Sequence, residues 1–136
     1  MEKTKINHLA VWVCIILAHG IGFAWYGALF AESWQELSGV DPEANPGTAA
    51  HWITNFIATL VPVYTLAWLF TKLDVDSGIK GAMYALIISF AFTLLTEMTT
   101  GMFEGNAYGL AWINGGSSIV VMVVTGFILG AWRKSA

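Results

Sequence analysis

The chain has 136 residues, of which 57% are hydrophobic and 11% are charged, and its net charge at pH 7 is −3. Soluble domains carry about 25% charged residues, so this composition excludes an ordinary soluble domain and indicates a membrane protein. The small negative charge gives no reason to expect a nucleic-acid partner. Cys14 is the single cysteine, which excludes an internal disulfide and a cysteine-based metal site.

The first apolar segment spans residues 6–31 and contains no Asp, Glu, Lys or Arg. Because about 20 apolar residues cross a bilayer, this segment predicts a membrane helix. A cleaved signal peptide is the competing interpretation, but its apolar region would be only about 7–15 residues long. The acidic loop that follows begins with residues 31–37, which predict a short interfacial helix that ends at Gly39.

Three further apolar segments, at residues 49–71, 79–101 and 108–132, predict three more membrane helices. Pro62 lies near the middle of the second helix and predicts a kink there, because proline removes one backbone hydrogen bond. The connections between these segments are short. The sequence therefore predicts an all-α, four-helix transmembrane bundle that forms a single domain over residues 1–136.

The positions of the cations predict how the bundle is oriented. All six fall on the side that carries both termini, whereas the other side has only acidic residues. The six cations are Lys3, Lys5, Lys72, Lys80, Arg133 and Lys134. Because loops rich in Lys and Arg stay in the cytoplasm, we expect both termini to be cytoplasmic.

Several sequence features resemble a known family. The glycine-rich first helix ends in Trp25 and Tyr26, and Trp34 follows; the last helix contains Ile-Asn-Gly-Gly at 113–116 and closes with Gly-Phe-Ile-Leu-Gly-Ala-Trp at 126–132. Along nearly its whole length the chain resembles the bacterial family known as domain of unknown function 1761. The resemblance implies a small multi-pass protein of the bacterial cytoplasmic (inner) membrane, and it brings no catalytic residues.

Polar residues within the apolar helices form a candidate intramembrane site. Thr93 and Glu97 share one face of the third helix, and a carboxylate near the hydrocarbon is costly unless it faces other helices or water. His19 lies near the middle of the first helix, where its imidazole needs partners for an N–H and a lone pair. The candidate site comprises polar residues from all four helices: His19, Tyr26, Asn55, Thr93, Glu97, Asn114 and Ser118.

Two interpretations of this site stay open. Hydrogen bonds between polar groups hold a membrane bundle together, because lipid provides no hydrophobic drive between helices. The same groups could instead line an outward-facing path for protons or a small polar solute. A water-accessible cavity that reaches His19 from outside would favour transport, whereas dry packing around His19 would favour a scaffold.

Small residues at i, i+4 spacing allow helices to approach closely. Gly81 and Ala85 have this spacing on the third helix, and Gly126 and Gly130 have it on the fourth. Residues 18–28 of the first helix show it on two faces, so one face could contact a second protomer. This pattern favours a homo-oligomer or a larger membrane complex.

No nucleotide-binding loop, serine elbow or zinc-binding helix occurs in the sequence. His19 and His51 lie at different depths, which argues against a shared haem. We therefore expect no catalytic, cofactor-binding or metal-binding residues, and the lipid bilayer as the surrounding medium. The predicted function is a non-enzymatic, self-associating or complex-associated subunit, and the alternative is a small channel or transporter.

Overall fold

The computed structural model describes residues 4–135. Four long helices dominate it, and we call them the first to fourth long helices: His8–Leu29, Ala49–Lys72, Gly78–Glu104 and Tyr108–Ala131. Each is apolar enough to cross a membrane, and their 22–27 residues rise about 33–40 Å, more than the roughly 30 Å of bilayer hydrocarbon. The prediction of an all-α bundle of four membrane helices with short loops is confirmed.

Side chains just before the helices determine where three of them begin. The side chains of Asn7, Thr48 and Ser77 each accept a hydrogen bond from the backbone N–H three residues later, at 3.3, 3.3 and 3.1 Å. Such caps satisfy amides that have no partner in the first helical turn. The first helix therefore begins at His8, two residues later than the predicted start, whereas the second begins at Ala49 as predicted.

Glycines in the left-handed conformation end two helices. Gly39, with φ of +70°, ends the short helix Ala31–Ser38, and Gly105, with φ of +73°, ends the third long helix at Glu104. Residues with a β-carbon are disfavoured at such φ values. The third helix consequently runs beyond residue 101, where the sequence predicted its end.

Two short strands, Thr4–Lys5 and Lys134–Ser135, pair in an antiparallel manner and join the chain ends. We call the end of the bundle that holds this pair and residues 73–77 the terminal side. The opposite end, with residues 30–48 and 105–107, is the loop side. The halves of the bundle next to these ends are the terminal half and the loop half.

The described cations lie on the terminal side of the bundle, as the sequence predicts. Arg133 on the terminal side donates to the Val75 carbonyl at 3.1 Å, and the Lys80 ammonium lies 3.7 Å from the Asp76 carboxylate. Lys3 lies outside the described residues. The assignment of the terminal side to the cytoplasm stays a prediction.

The buried core lies in the terminal half, where the third and fourth long helices approach most closely. A β-carbon on Gly81 would collide with the Gly126 carbonyl, and one on Gly126 would lie 2.6 Å from the Ala85 β-carbon. The small residues of the two predicted motifs therefore face each other. The other helices complete this core with apolar side chains: Ala10, Val11, Cys14, Ile15, Val63, Leu66, Ala67 and Phe70.

The second long helix is buried only in its terminal half. All of its buried residues follow Pro62, and residues 49–58 are exposed throughout. Phe56 nevertheless contacts the first helix, with its ring centroid 5.8 Å from that of His19. The loop half of this helix thus borders open space. The predicted kink at Pro62 stays a prediction.

Candidate functional site

A cavity of about 1140 Å³ occupies the loop half of the bundle. Its walls include residues from Ala18 to Gly27 on the first helix and from Trp52 to Val63 on the second. These stretches rise about 13 Å and about 16 Å, or roughly half of the hydrocarbon thickness. The cavity thus extends from the loop side to the middle of the bundle, where the buried core closes it.

Most of the predicted polar site lies at this cavity. The structure places five of the seven predicted residues in its lining: His19, Tyr26, Asn55, Thr93 and Ser118. Asn114 and Glu97 are outside the lining, but Asn114 is hydrogen-bonded both to Glu97 and to Tyr26. All seven residues therefore line the cavity or are hydrogen-bonded to residues next to it. Their functional role stays a prediction.

A hydrogen-bonded chain links three helices behind the cavity wall. The Tyr26 hydroxyl donates to Asn114 Oδ1 at 2.9 Å, and Asn114 Nδ2 donates to Glu97 Oε1 at 3.1 Å. One oxygen of the Glu97 carboxylate therefore accepts a hydrogen bond from a neighbouring helix, which lowers the cost of placing the carboxylate within the bundle. Because the central amide accepts from one side chain and donates to the other, the chain fixes the orientation of the Tyr26 hydroxyl.

His19 presents one ring nitrogen to its own helix. Its Nδ1 lies 2.9 Å from the Ile15 carbonyl oxygen, and its ring lies against Phe56. A carbonyl can only accept, so Nδ1 carries the proton and donates. The cavity is thus lined by an imidazole that is oriented by its own backbone and supported by an aromatic ring.

Two π-helical turns flank the cavity, and the sequence analysis missed both. Tyr26 lies in the turn Trp25–Leu29, and Thr93 lies in the turn Phe90–Leu94. A π turn inserts an extra residue into a helix, which rotates the side chains beyond it relative to those before it, and such turns are frequent at functional sites. Hydrophobic periodicity does not distinguish a π turn from the α-helix around it, so the sequence analysis had no signal for either turn.

Ser117, a polar residue that the sequence places at the same depth as Ser118 but outside the seven-residue site, is mostly buried and lines the cavity beside Ser118. Aromatic rings of Phe23, Trp34 and Trp52 form much of the remaining wall. The described residues that line this cavity include no Asp, Glu, Lys or Arg. The site is thus an uncharged, partly aromatic space with hydroxyl, amide and imidazole groups.

Metal binding has no support in this geometry. Among the described residues, no three His, Cys, Asp or Glu side chains lie close enough together to hold a metal ion. His51 is engaged elsewhere, since its Nδ1 accepts from the Thr48 backbone N–H at 3.2 Å as part of a helix cap. The expectation of a site without a metal or cofactor stays a prediction.

The chain matches a known protein family. A protein-family model described as "Protein of unknown function (DUF1761)" matches residues 9–130, which cover nearly all of the four long helices. No curated protein and no solved structure matches the chain. The match confirms the resemblance seen in the sequence and extends over the whole cavity lining.

Proposed function

The chain belongs to the DUF1761 family, and we propose that this member is a non-enzymatic membrane protein that takes a small uncharged molecule into the cavity from the loop side. The observation that carries the proposal is a cavity of about 1140 Å³ that reaches His19 near the middle of the first helix. A scaffold would close polar residues at this depth against neighbouring helices. The proposal therefore follows the transport alternative of the sequence analysis.

The size and lining of the cavity support a small-molecule ligand. Ligand pockets commonly measure about 300–1,000 Å³ and combine apolar and aromatic walls with a few polar groups. Here Phe56 and Trp52 contribute aromatic walls, while Asn55, Thr93 and Ser118 contribute polar groups. A charged ligand would find no counter-ion in the lining and would lose its hydration without compensation.

Passage through the protein would require a second conformation. Ile15, Val63 and Leu66 are at most 2% exposed and close the terminal half. The second long helix is the element most free to move, because residues 49–58 are exposed and only its terminal half is buried. We propose that release on the terminal side involves a displacement of this helix relative to the other three.

The charge distribution supports the direction of uptake. Cations on the terminal side, such as Lys80 and Arg133, favour a cytoplasmic location for that side. The cavity would then open away from the cytoplasm. The family resemblance supports placement in the bacterial cytoplasmic (inner) membrane.

Thiol labelling tests whether the cavity admits water and solutes. In a Cys14→Ala background, Ser118→Cys would place a thiol at the cavity, and Val120→Cys would place one on an exposed part of the same helix that does not line the cavity. A hydrophilic, membrane-impermeant maleimide should label Ser118→Cys and spare Val120→Cys in lipid. Thr125→Cys provides the buried control, since Thr125 is 1% exposed. Equal protection of Ser118→Cys and Thr125→Cys would show a closed bundle and refute the proposal.

A flux assay tests transport itself. Proteoliposomes that contain wild type, His19→Ala or Glu97→Gln are compared for proton flux with a pH-sensitive dye and for glycerol or urea entry by light scattering. We expect the His19 variant to change solute entry, because His19 lies at the inner end of the cavity. Transport through this site is excluded if both variants conduct like wild type.

Self-association is a second candidate, favoured by the exposed loop half of the second helix. Asn55, which lines the cavity, is exposed at its edge, where its side-chain amide would lack hydrogen-bond partners next to lipid. A second copy could cover this surface. Mass analysis in native-like lipid should show a homo-oligomer that Asn55→Leu weakens, whereas a wild-type monomer would remove this candidate.

A further inference from the structure

One wall of the cavity carries a hydrogen-bond acceptor with no donor. Because Nδ1 of His19 donates to the Ile15 carbonyl at 2.9 Å, Nε2 of the uncharged imidazole keeps its lone pair. No donor from the described part of the chain lies within hydrogen-bond distance of this nitrogen. His19 lines the cavity, so a ligand that reaches it would meet an acceptor.

The neighbouring helix supplies a second acceptor at the same cavity. Pro62 has no backbone N–H, so the Ala58 carbonyl lacks the donor that normally closes a helical turn. Ala58 and Pro62 both line the cavity. The adjacent Thr59 hydroxyl does not compensate, because it donates to the Asn55 carbonyl at 3.0 Å.

The polar atoms of two aromatic side chains near these acceptors are hydrogen-bonded to protein groups. Trp52 Nε1 donates to the Pro46 carbonyl at 3.2 Å, and the Tyr26 hydroxyl donates to Asn114. Their rings, together with Phe56, therefore offer apolar surface to the cavity. The ligand that complements this wall has an apolar body and hydrogen-bond donors, and no charge.

We propose that the cavity binds an uncharged, hydroxyl-bearing molecule with an apolar body, whose hydroxyl group donates to His19 Nε2. A second hydroxyl would donate to the Ala58 carbonyl. A neutral lipid with a hydroxylated head and a free aromatic alcohol share this chemistry, and the test below separates them. The inference rests on the proposed function, since it names the ligand class of the same cavity.

Nitrogen NMR of histidine-labelled protein in phosphatidylcholine nanodiscs provides the test. 1,2-Dioleoylglycerol should shift the His19 Nε2 resonance, because a lone pair that accepts a hydrogen bond becomes more shielded. Propane-1,2-diol dioleate, which is the same lipid without the hydroxyl, should bind about two- to tenfold more weakly and leave this resonance in place. Dioleoyl phosphatidic acid tests charge and should not bind. His8 and His51 resonances serve as internal controls, since neither residue lines the cavity.

Variants test whether the two acceptors, His19 Nε2 and the Ala58 carbonyl, cause the preference for hydroxyl-bearing lipids. His19→Phe keeps an aromatic ring beside Phe56 but has no acceptor, so it should bind both neutral lipids equally. Pro62→Ala restores a donor for the Ala58 carbonyl, so it should weaken the binding of 1-monooleoylglycerol, which has a second hydroxyl, and leave the preference for dioleoylglycerol unchanged. His8→Phe is the matched control and should keep it. The wild-type comparison of the two lipids remains decisive if a variant does not fold.

The outcomes separate this inference from the proposed function. A shift with water-soluble hydroquinone and none with dioleoylglycerol supports the inference and identifies a ligand from water. No shift with either probe overturns it, while labelling of Ser118→Cys would leave the proposed function standing. Protection of Ser118→Cys from the maleimide together with no shift from either probe overturns both.

Discussion

The close approach of the third and fourth long helices makes Gly126→Ala the most informative stability variant. The added β-carbon would lie 2.6 Å from the Ala85 β-carbon and would also collide with the Gly81 carbonyl. Ordinary van der Waals contact begins at 3.4 Å, so the helices must separate by about 0.8 Å or more. Overpacking of this kind costs about 1–3 kcal/mol, which lowers the ratio of folded to unfolded protein by about 5- to 150-fold.

Equilibrium unfolding in mixed micelles with increasing SDS, followed by circular dichroism, measures this change. Gly22→Ala is the matched control, because a β-carbon at Gly22 would meet nothing within 4 Å. That variant should be as stable as wild type or more so, since alanine favours helix over glycine by about 1 kcal/mol. Equal stability of the two variants would refute the close approach of the helices.

Two further substitutions test other parts of the bundle. Asn114→Leu removes the hydrogen bonds of the Asn114 side chain with Tyr26 and Glu97, so we expect the free energy of unfolding to fall by about 1–3 kcal/mol in the same assay. In a double-mutant cycle with Tyr26→Phe, the two losses should not be additive. Additive losses would contradict the hydrogen-bonded link between Tyr26 and Asn114. Ser77→Ala removes the helix cap that accepts from the Lys80 backbone N–H at 3.1 Å, and it should cost about 0.5–2 kcal/mol. Ser77→Asp is its control and should retain most of the stability, because aspartate also caps helices.

The polar residues show how far sequence reasoning could go. Helical periodicity placed Thr93 and Glu97 on one face, and depth along each helix placed Asn114 and Ser118 at a similar level. Neither argument could identify Asn114 as the shared partner of Tyr26 and Glu97. Such a pairing depends on the rotation of each helix about its axis, which the π turn at Trp25–Leu29 changes within the first helix itself.

Sequence by itself determined the four long helices, the end of the short helix at Gly39 and the side of the bundle on which the cations lie. These features are local, because a helix in lipid must satisfy its backbone within its own segment and must match the thickness of the bilayer. Only the tertiary structure decided the cavity. Its volume depends on how far apart the helices stand in the loop half, whereas the close contact of Gly81 with Gly126 and the buried part of the second helix beyond Pro62 lie in the terminal half.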